Sequence, residues 1–304
     1  MAAFLKGVDE YQDLLRCTVA SAGNDHRLGG HEAPPAIVSI FLGDELNAII
    51  RSIVDGTNYV DPEKSILRIG VDVLPTIRKD TTDRNRTSPL AFTGNKFEFR
   101  MLGSSQSISS PNIALNTIMA EELGKFADIL EQAEDFDTAL HDLVAKTFKE
   151  HQRIIFSGNG YSEEWKQEAA QRGLSNLATT AEALPTYISP KNVELVTKHG
   201  IFTEAEFHAR YAIYLEAYNK VTRIEARTMV DMAVHQIYPA AVKYTDDLCQ
   251  ALYHKQAIGI PCKAEKELVS LLADTTDLLH ETVNDLNHNH QLRLRRCHSL
   301  ARLG

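Results

Sequence analysis

The strongest constraint on this chain is a run of helical spacing between residues 203 and 238. Phe207, Tyr211, Leu215, Tyr218, Val221 and Ile224 recur at three- and four-residue steps, and the pattern continues to Met232 and Ile237. So long an amphipathic stripe must be buried against other helices or another subunit. Pro239 is expected to interrupt it, with helix returning through about 253 and another helix over 263–286. Upstream, "PNIALNTIMAEELGKFADILEQA" opens on Pro111, a residue suited to a helix N-terminus, and "DFDTALHDLVAKTFKEHQ" follows with Asp135 or Asp137 near its start. Shorter helices are expected at 161–172 and 190–199, and residues 2–20 carry helical spacing too.

Residues 1–105 otherwise mix strands and polar loops. "GDELNAIIRSIVDG" reads as a helix with Asp44 as cap, and "SILRIGVDVL" (65–74) as a strand. A polar loop over 78–89 leads to short strands at 90–93 and 96–101. The expected fold class is therefore α+β: a strand-and-loop portion over 1–110, then a long helical region over 111–290. The end, 291–304, holds Arg293, Arg295, Arg296 and Arg302 with no acid, and reads either as a basic tail or as sequence that does not belong to the fold.

At 304 residues the chain has room for one large or two modest domains. A net charge of −9 argues against a general nucleic-acid binder. Cys17, Cys249, Cys262 and Cys297 form no CxxC, which points to a reducing compartment without a disulfide or zinc framework. The longest apolar run, "AIVSIFLG", is too short to span a membrane. Asp9, Glu10 and Asp13 near the start are unlike a secretory signal, so a cytoplasmic protein is expected.

Three stretches carry candidate chemistry. "NDHRLGGHEAPP" (24–35) gathers Asp25, His26, Arg27, His31 and Glu32 around Gly29 and Gly30, with Pro34 and Pro35 stiffening the exit. A mobile segment on a rigid anchor can form a lid that carries a general base; the plain alternative is a solvated loop. The five-residue separation of His26 and His31 matches no known metal-ligand spacing. "DRNRTSP" (83–89) presents Arg84 and Arg86, whose guanidinium groups suit phosphate, or simply Asp80 and Asp83. In "GNKFEFRML" (94–102), Phe97, Phe99 and Met101 alternate with Lys96, Glu98 and Arg100. The charged face fits either a metal and an anion side by side or a surface salt-bridge ladder. "SGNG" (157–160) lacks a phosphate-loop frame and reads as a turn.

Taken together, "SAGNDHRLGGHEAPPAIVSIFLGDEL" and "GVDVLPTIRKDTTDRNRTSPLAFTGNKFEFRMLGSS" resemble type III glutamine synthetase. "RIIFSGNGYSEEW", "RGLSNL" and "LVTKHGIFTEAEFHARY" extend the resemblance to about residue 250. It implies ATP-dependent ligation of ammonium to L-glutamate through a γ-glutamyl phosphate, with Mg2+ or Mn2+, in a homo-oligomer. It implies Glu32 as the lid base that deprotonates ammonium, and Arg27 and Arg100 as glutamate contacts. Arg86 and Lys96 would meet ATP phosphates, and Glu98 would ligate metal. Two positions depart from the pattern. Ala91 stands where better-known types carry a second arginine, and the lid's Arg-to-Glu spacing is one residue shorter. The Glu-x-Glu strand and nucleotide histidine region that the family places before its lid are not found in residues 1–20. The chain is therefore expected to match the C-terminal part of a longer enzyme and to be inactive alone. The alternatives are a non-catalytic helical interaction fragment, or a piece left unstable by unpaired strand edges near 65–101.

Overall fold

The computed structural model describes residues 1–30, 32–59, 66–67, 77–78 and 87–300, with backbone alone over 66–67, 77–78 and 289–300. In chain order the first elements are α1 (Ala2–Glu10), α2 (Gln12–Cys17), α3 (Ala22–Arg27), β1 (Ile40–Phe41) and α4 (Asp44–Asp55). Then come β2 (Ile66–Leu67), β3 (Ile77–Arg78), β4 (Leu90–Phe92) and β5 (Phe97–Phe99). The helical part follows: α5 (Ser109–Glu131), α6 (Phe136–His151), a 3-10 turn (Gln152–Ile154), α7 (Glu163–Gln171), α8 (Thr180–Tyr187) and α9 (Pro190–Lys198). It continues as α10 (Glu204–Met232), a π-helical turn (Ala233–Ile237), α11 (Tyr238–Ala257) and α12 (Lys263–Leu300). The result is mostly helical with a small three-stranded sheet, the α+β class expected. Two compact units are formed, Met1–Glu216 and Ala217 onward.

In the first unit the sheet order is β1-β4-β5, with β1 parallel to β4 and β4 antiparallel to β5. Ala91 lies opposite Glu98, and Phe92 opposite Phe97. Phe97 stacks on Phe4 at 3.9 Å, so the sheet rests on α1. On the far edge Phe156 N donates to Ile40 O at 3.0 Å, which brings the segment after α6 alongside β1. α1 crosses α5 closely because Gly7 has no side chain. A Cβ there would land inside the contact radius of Ile118 Cγ2, and Ile118 is itself buried. Trp165 of α7, also buried, stacks on Phe156 at 3.6 Å.

Several expectations are corrected. Asp44 is the first residue of α4 and not its cap; Gly43 caps it at φ 85°, a conformation glycine holds without strain. Asp44 instead faces the positive end of the helix dipole. Residues 22–27 are helical and not loop, because the Ser21 side chain caps α3 by accepting from Asn24 N. α8 was not expected: Pro185 masks it in the pattern, while Thr179 and Glu182 form a reciprocal capping box at its start. The interruption after α10 is the π-helical turn. Pro239 falls at the start of α11, where a missing N–H costs little. Asp135 does cap α6, accepting from Asp137 N and Thr138 N. α12 passes 286 and stays helical through residue 300. Of the 65–74 strand, Ile66–Leu67 is strand, paired antiparallel with Ile77–Arg78; the rest lies outside the described residues.

In the second unit α11 packs along α12, with Tyr238 and His280 rings 5.5 Å apart. Much apolar surface stays exposed there: Met229 (60%), Tyr253 (71%), Ile258 (74%), Leu271 (63%) and Leu278 (62%). Among the described residues no helix is long and apolar enough to cross a membrane.

Candidate active site

The alternation in 96–101 is realised. Phe97 and Phe99 join the hydrophobic core, Met101 is fully buried, and Lys96, Glu98 and Arg100 take the other face. Glu98 accepts from Arg100 Nη2 at 3.0 Å and from Arg100 Nε at 3.3 Å. Lys96 Nζ stands 3.5 Å from Glu98, and Thr93 Oγ1 donates to it at 3.4 Å. The Arg100 hydrogen bond holds the Glu98 carboxyl below the usual carboxylate range, so it is ionised at neutral pH. Arg100 is the more enclosed partner, 16% exposed against 37% for Glu98 and 66% for Lys96. A guanidinium backed by packing and a carboxylate thus stand paired, side by side, on one strand face.

The 24–35 stretch is joined to that strand at its start. Asn24, 3% exposed, donates through Nδ2 to Val19 O at 2.8 Å and to Met101 O at 3.0 Å. Its Oδ1 accepts from Arg27 Nη1 at 2.7 Å, and Arg27 Nη1 also reaches Met101 O at 3.3 Å. Gln106 Nε2 adds donors to Val19 O and Ser21 Oγ. Arg27 is therefore anchored to the continuation of β5, one residue past Arg100. Beyond it the loop is pinched shut: Gly29 N bonds Ala33 O and Pro34 O, with Gly29 at φ 76°. Glu32 is exposed within this pinched turn, and His31 lies outside the described residues.

Asp25, read from sequence as a loop charge, does structural work. It accepts from Thr180 N (2.8 Å) and Thr180 Oγ1 (2.7 Å) at the start of α8, and from Arg16 Nη2 (3.3 Å). Arg16 is buried, and its Nε donates to Leu177 O at 2.8 Å. The exits of both loops meet at "SGNG". Tyr161 Oη donates to Ala33 O at 3.1 Å, and a Cβ on Gly160 would lie 2.6 Å from Thr87 O and 3.4 Å from the Pro35 ring. Gly160 is thus required by close packing, consistent with a turn. Arg84 and Arg86 lie outside the described residues, as does most of the 78–89 loop. Asn24, the organiser of the lid base, was missed; its signal was the Ser21-x-x-Asn24 cap spacing that starts α3.

Glu98 is a single carboxylate donor. Among the described residues no group of three His, Cys, Asp or Glu side chains converges to hold a metal. A hard divalent cation takes six or more oxygens, so the described residues do not fit a complete metal site.

Residues 139–256 match the family model described as the glutamine synthetase C-terminal domain. A type-3 glutamine synthetase of Dictyostelium discoideum is 43% identical over 255 residues, 83% of this chain and 35% of the relative. A glutamine synthetase of Bacteroides fragilis is 41% identical over 281 residues (90% and 38%), and one of Butyrivibrio fibrisolvens 40% over 263 (85% and 37%). The chain thus spans little more than a third of the length of the curated relatives it matches.

Proposed function

We propose that this chain, homologous to part of type-3 glutamine synthetase, supplies one portion of an active site that ligates ammonium to L-glutamate. Residues 1–110 are read as the catalytic portion, 111–290 as the helical region and 291–304 as a basic tail. A γ-carboxylate oxygen of glutamate attacks the terminal phosphorus of ATP, and ADP leaves. Ammonia then attacks the acyl carbon, and phosphate leaves with the C–O electron pair. Glu32 takes the proton from ammonium, and the closed lid keeps water from the acyl phosphate. Arg27 and Arg100 hold glutamate, and Arg100 also meets the transferred group. Arg86 and Lys96 neutralise nucleotide phosphates. Mg2+ or Mn2+ belongs to this chemistry; Glu98 is the ligand this chain offers, and the remaining donors come from the portion of the relatives that the chain does not span. The observation that carries the reading is the Asn24–Arg27–Met101 junction, which fixes the lid base to the strand bearing Glu98 and Arg100.

The test is ATP- and glutamate-dependent phosphate release by the isolated 304-residue chain. Background-level release is expected; sustained turnover would refute the partial-site reading. A second reading, a non-catalytic helical piece that associates with itself or with full-length subunits, is favoured by the exposed Tyr253, Ile258, Leu271 and Leu278. Light scattering with and without a full-length relative tests it: a monomer indifferent to the relative would sink it.

A further inference from the structure

Apart from the candidate active site, the first unit holds a groove of about 580 Å³ between α4, the end of α6 and residues 155–158. None of Arg27, Glu32, Lys96, Glu98 or Arg100 lines it. Its wall carries four cations, Arg51, Lys149, Arg153 and Arg172, against one carboxylate, Glu150. In a chain of net charge −9, a wall richer in cations than in carboxylates stands out from the rest.

Two of the cations are held rigidly. Arg153 Nε is fixed by buried Asp9 at 2.9 Å. Arg172 Nη1 donates to Ile155 O at 2.8 Å and Arg153 O at 3.1 Å, while its Nη2 pairs with Glu168 and its guanidinium lies 5.4 Å from the Trp165 ring centre. The other two, exposed Arg51 and Lys149, have no ion-pair partner among the described residues. Asp9 and Glu168 already answer Arg153 and Arg172, and Glu150 offsets one further charge, so a net surplus of one positive charge rests on Arg51 and Lys149. The wall also carries apolar side chains, Ile50, Ile155 and Phe156, and the Phe156 ring stacks on Trp165 at 3.6 Å. Gly158 closes against that ring, where a Cβ would sit 2.6 Å from Phe156 Cζ. Ser157 Oγ accepts from Asn47 Nδ2 at 3.0 Å, which leaves its own proton to donate into the groove.

We propose that this groove binds a nucleotide-class anion, with the flat body against Phe156 and the phosphates between Arg51 and Lys149. The donors are cationic or neutral N–H and O–H groups, which suit phosphate oxygens. A volume of this size is within the range for such ligands. The inference stands apart from the glutamine synthetase reading, and its test separates the two.

Titrate ADP and, separately, inorganic pyrophosphate into the full chain by calorimetry at low salt. ADP is expected to bind with a Kd below about 1 mM. Arg51→Gln/Lys149→Gln should weaken it about tenfold or more, since both charge-assisted contacts are lost. Lys263→Gln, which removes one positive charge from α12 outside the groove, should leave it within about twofold. Pyrophosphate should bind at least about fivefold more weakly, lacking the body that stacks on Phe156. No ADP binding, binding unaffected by the double substitution, binding lost in Lys263→Gln, or pyrophosphate as tight as ADP would each overturn the proposal.

Discussion

Replacing Asn24 by alanine removes the side chain that joins the lid base to β5. Three hydrogen bonds disappear: Nδ2 to Val19 O (2.8 Å), Nδ2 to Met101 O (3.0 Å), and Arg27 Nη1 to Oδ1 (2.7 Å). Neutral bonds contribute about 1 kcal/mol each, and one from a charged donor about 1.5–3 kcal/mol. The loss is partly offset because no carbonyl is orphaned: Val19 O keeps Gln106 Nε2 at 3.1 Å, and Met101 O keeps Arg27 at 3.3 Å. The expected cost of Asn24→Ala is therefore about 2–4 kcal/mol. It is read as a shift in the urea midpoint, followed by far-ultraviolet circular dichroism. Trypsin adds a local readout, since cleavage after Arg27 should quicken once its guanidinium loses the shorter of its two hydrogen bonds and keeps only Met101 O. Asn24→Asp keeps an acceptor for Arg27 but faces two carbonyls with a carboxylate, so it too should be destabilised. A cost of Asn24→Ala under about 1 kcal/mol with unchanged cleavage, or an Asn24→Asp variant as stable as the parent, would refute the argument.

Gly7→Ala should cost about 1–3 kcal/mol by forcing α1 off α5, and Ile118→Ala in the same chain should relieve most of that, measured as a double-mutant cycle in urea; additive costs would argue against the close crossing. Glu121 of α5 is desolvated by burial, which raises its pKa, yet hydrogen bonds from Lys198 and His199 and the charge of Lys125 outweigh this and hold it down to about 2. Its folded pKa is depressed, so its contribution is present above the unfolded carboxylate range and is lost as pH falls toward 2. Urea midpoints measured between pH 6 and pH 2.5 should show a decline worth about 2–3 kcal/mol that flattens in Glu121→Gln; an equally steep decline in that variant would contradict the assignment.

Most of the fold's long elements were legible because their periods are long. α5, α6 and α10 repeat an apolar face over many turns, and Asp135 announces its helix with a capping oxygen. The strand 97–99 was legible because two phenylalanines alternate with charges. What was hidden is short or depends on distant partners. α3 and α8 are each under ten residues, and one carries a proline. The loop-like composition of 24–27 conceals that Asp25 belongs to Thr180 and Arg16, and Arg27 to Asn24 and Met101, partners far away in sequence or local within an unrecognised helix. The pairing of Glu98 with Arg100 followed from their two-residue spacing; the junction that ties the lid to them did not. Nor could spacing reveal that Arg153 and Arg172, nineteen residues apart, brace the same groove.

The central claim, that the strand bearing Glu98 and Arg100 is one portion of a glutamine-forming site, is tested most directly by a chimera. The matching segment of the Butyrivibrio fibrisolvens glutamine synthetase is replaced by this chain's, and ATP-dependent glutamine formation is measured with Glu98 and with Glu98→Ala. The account predicts an active chimera whose activity falls about 100-fold or more on substitution, with its melting temperature unchanged. A Glu98→Ala chimera as active as its parent would contradict it.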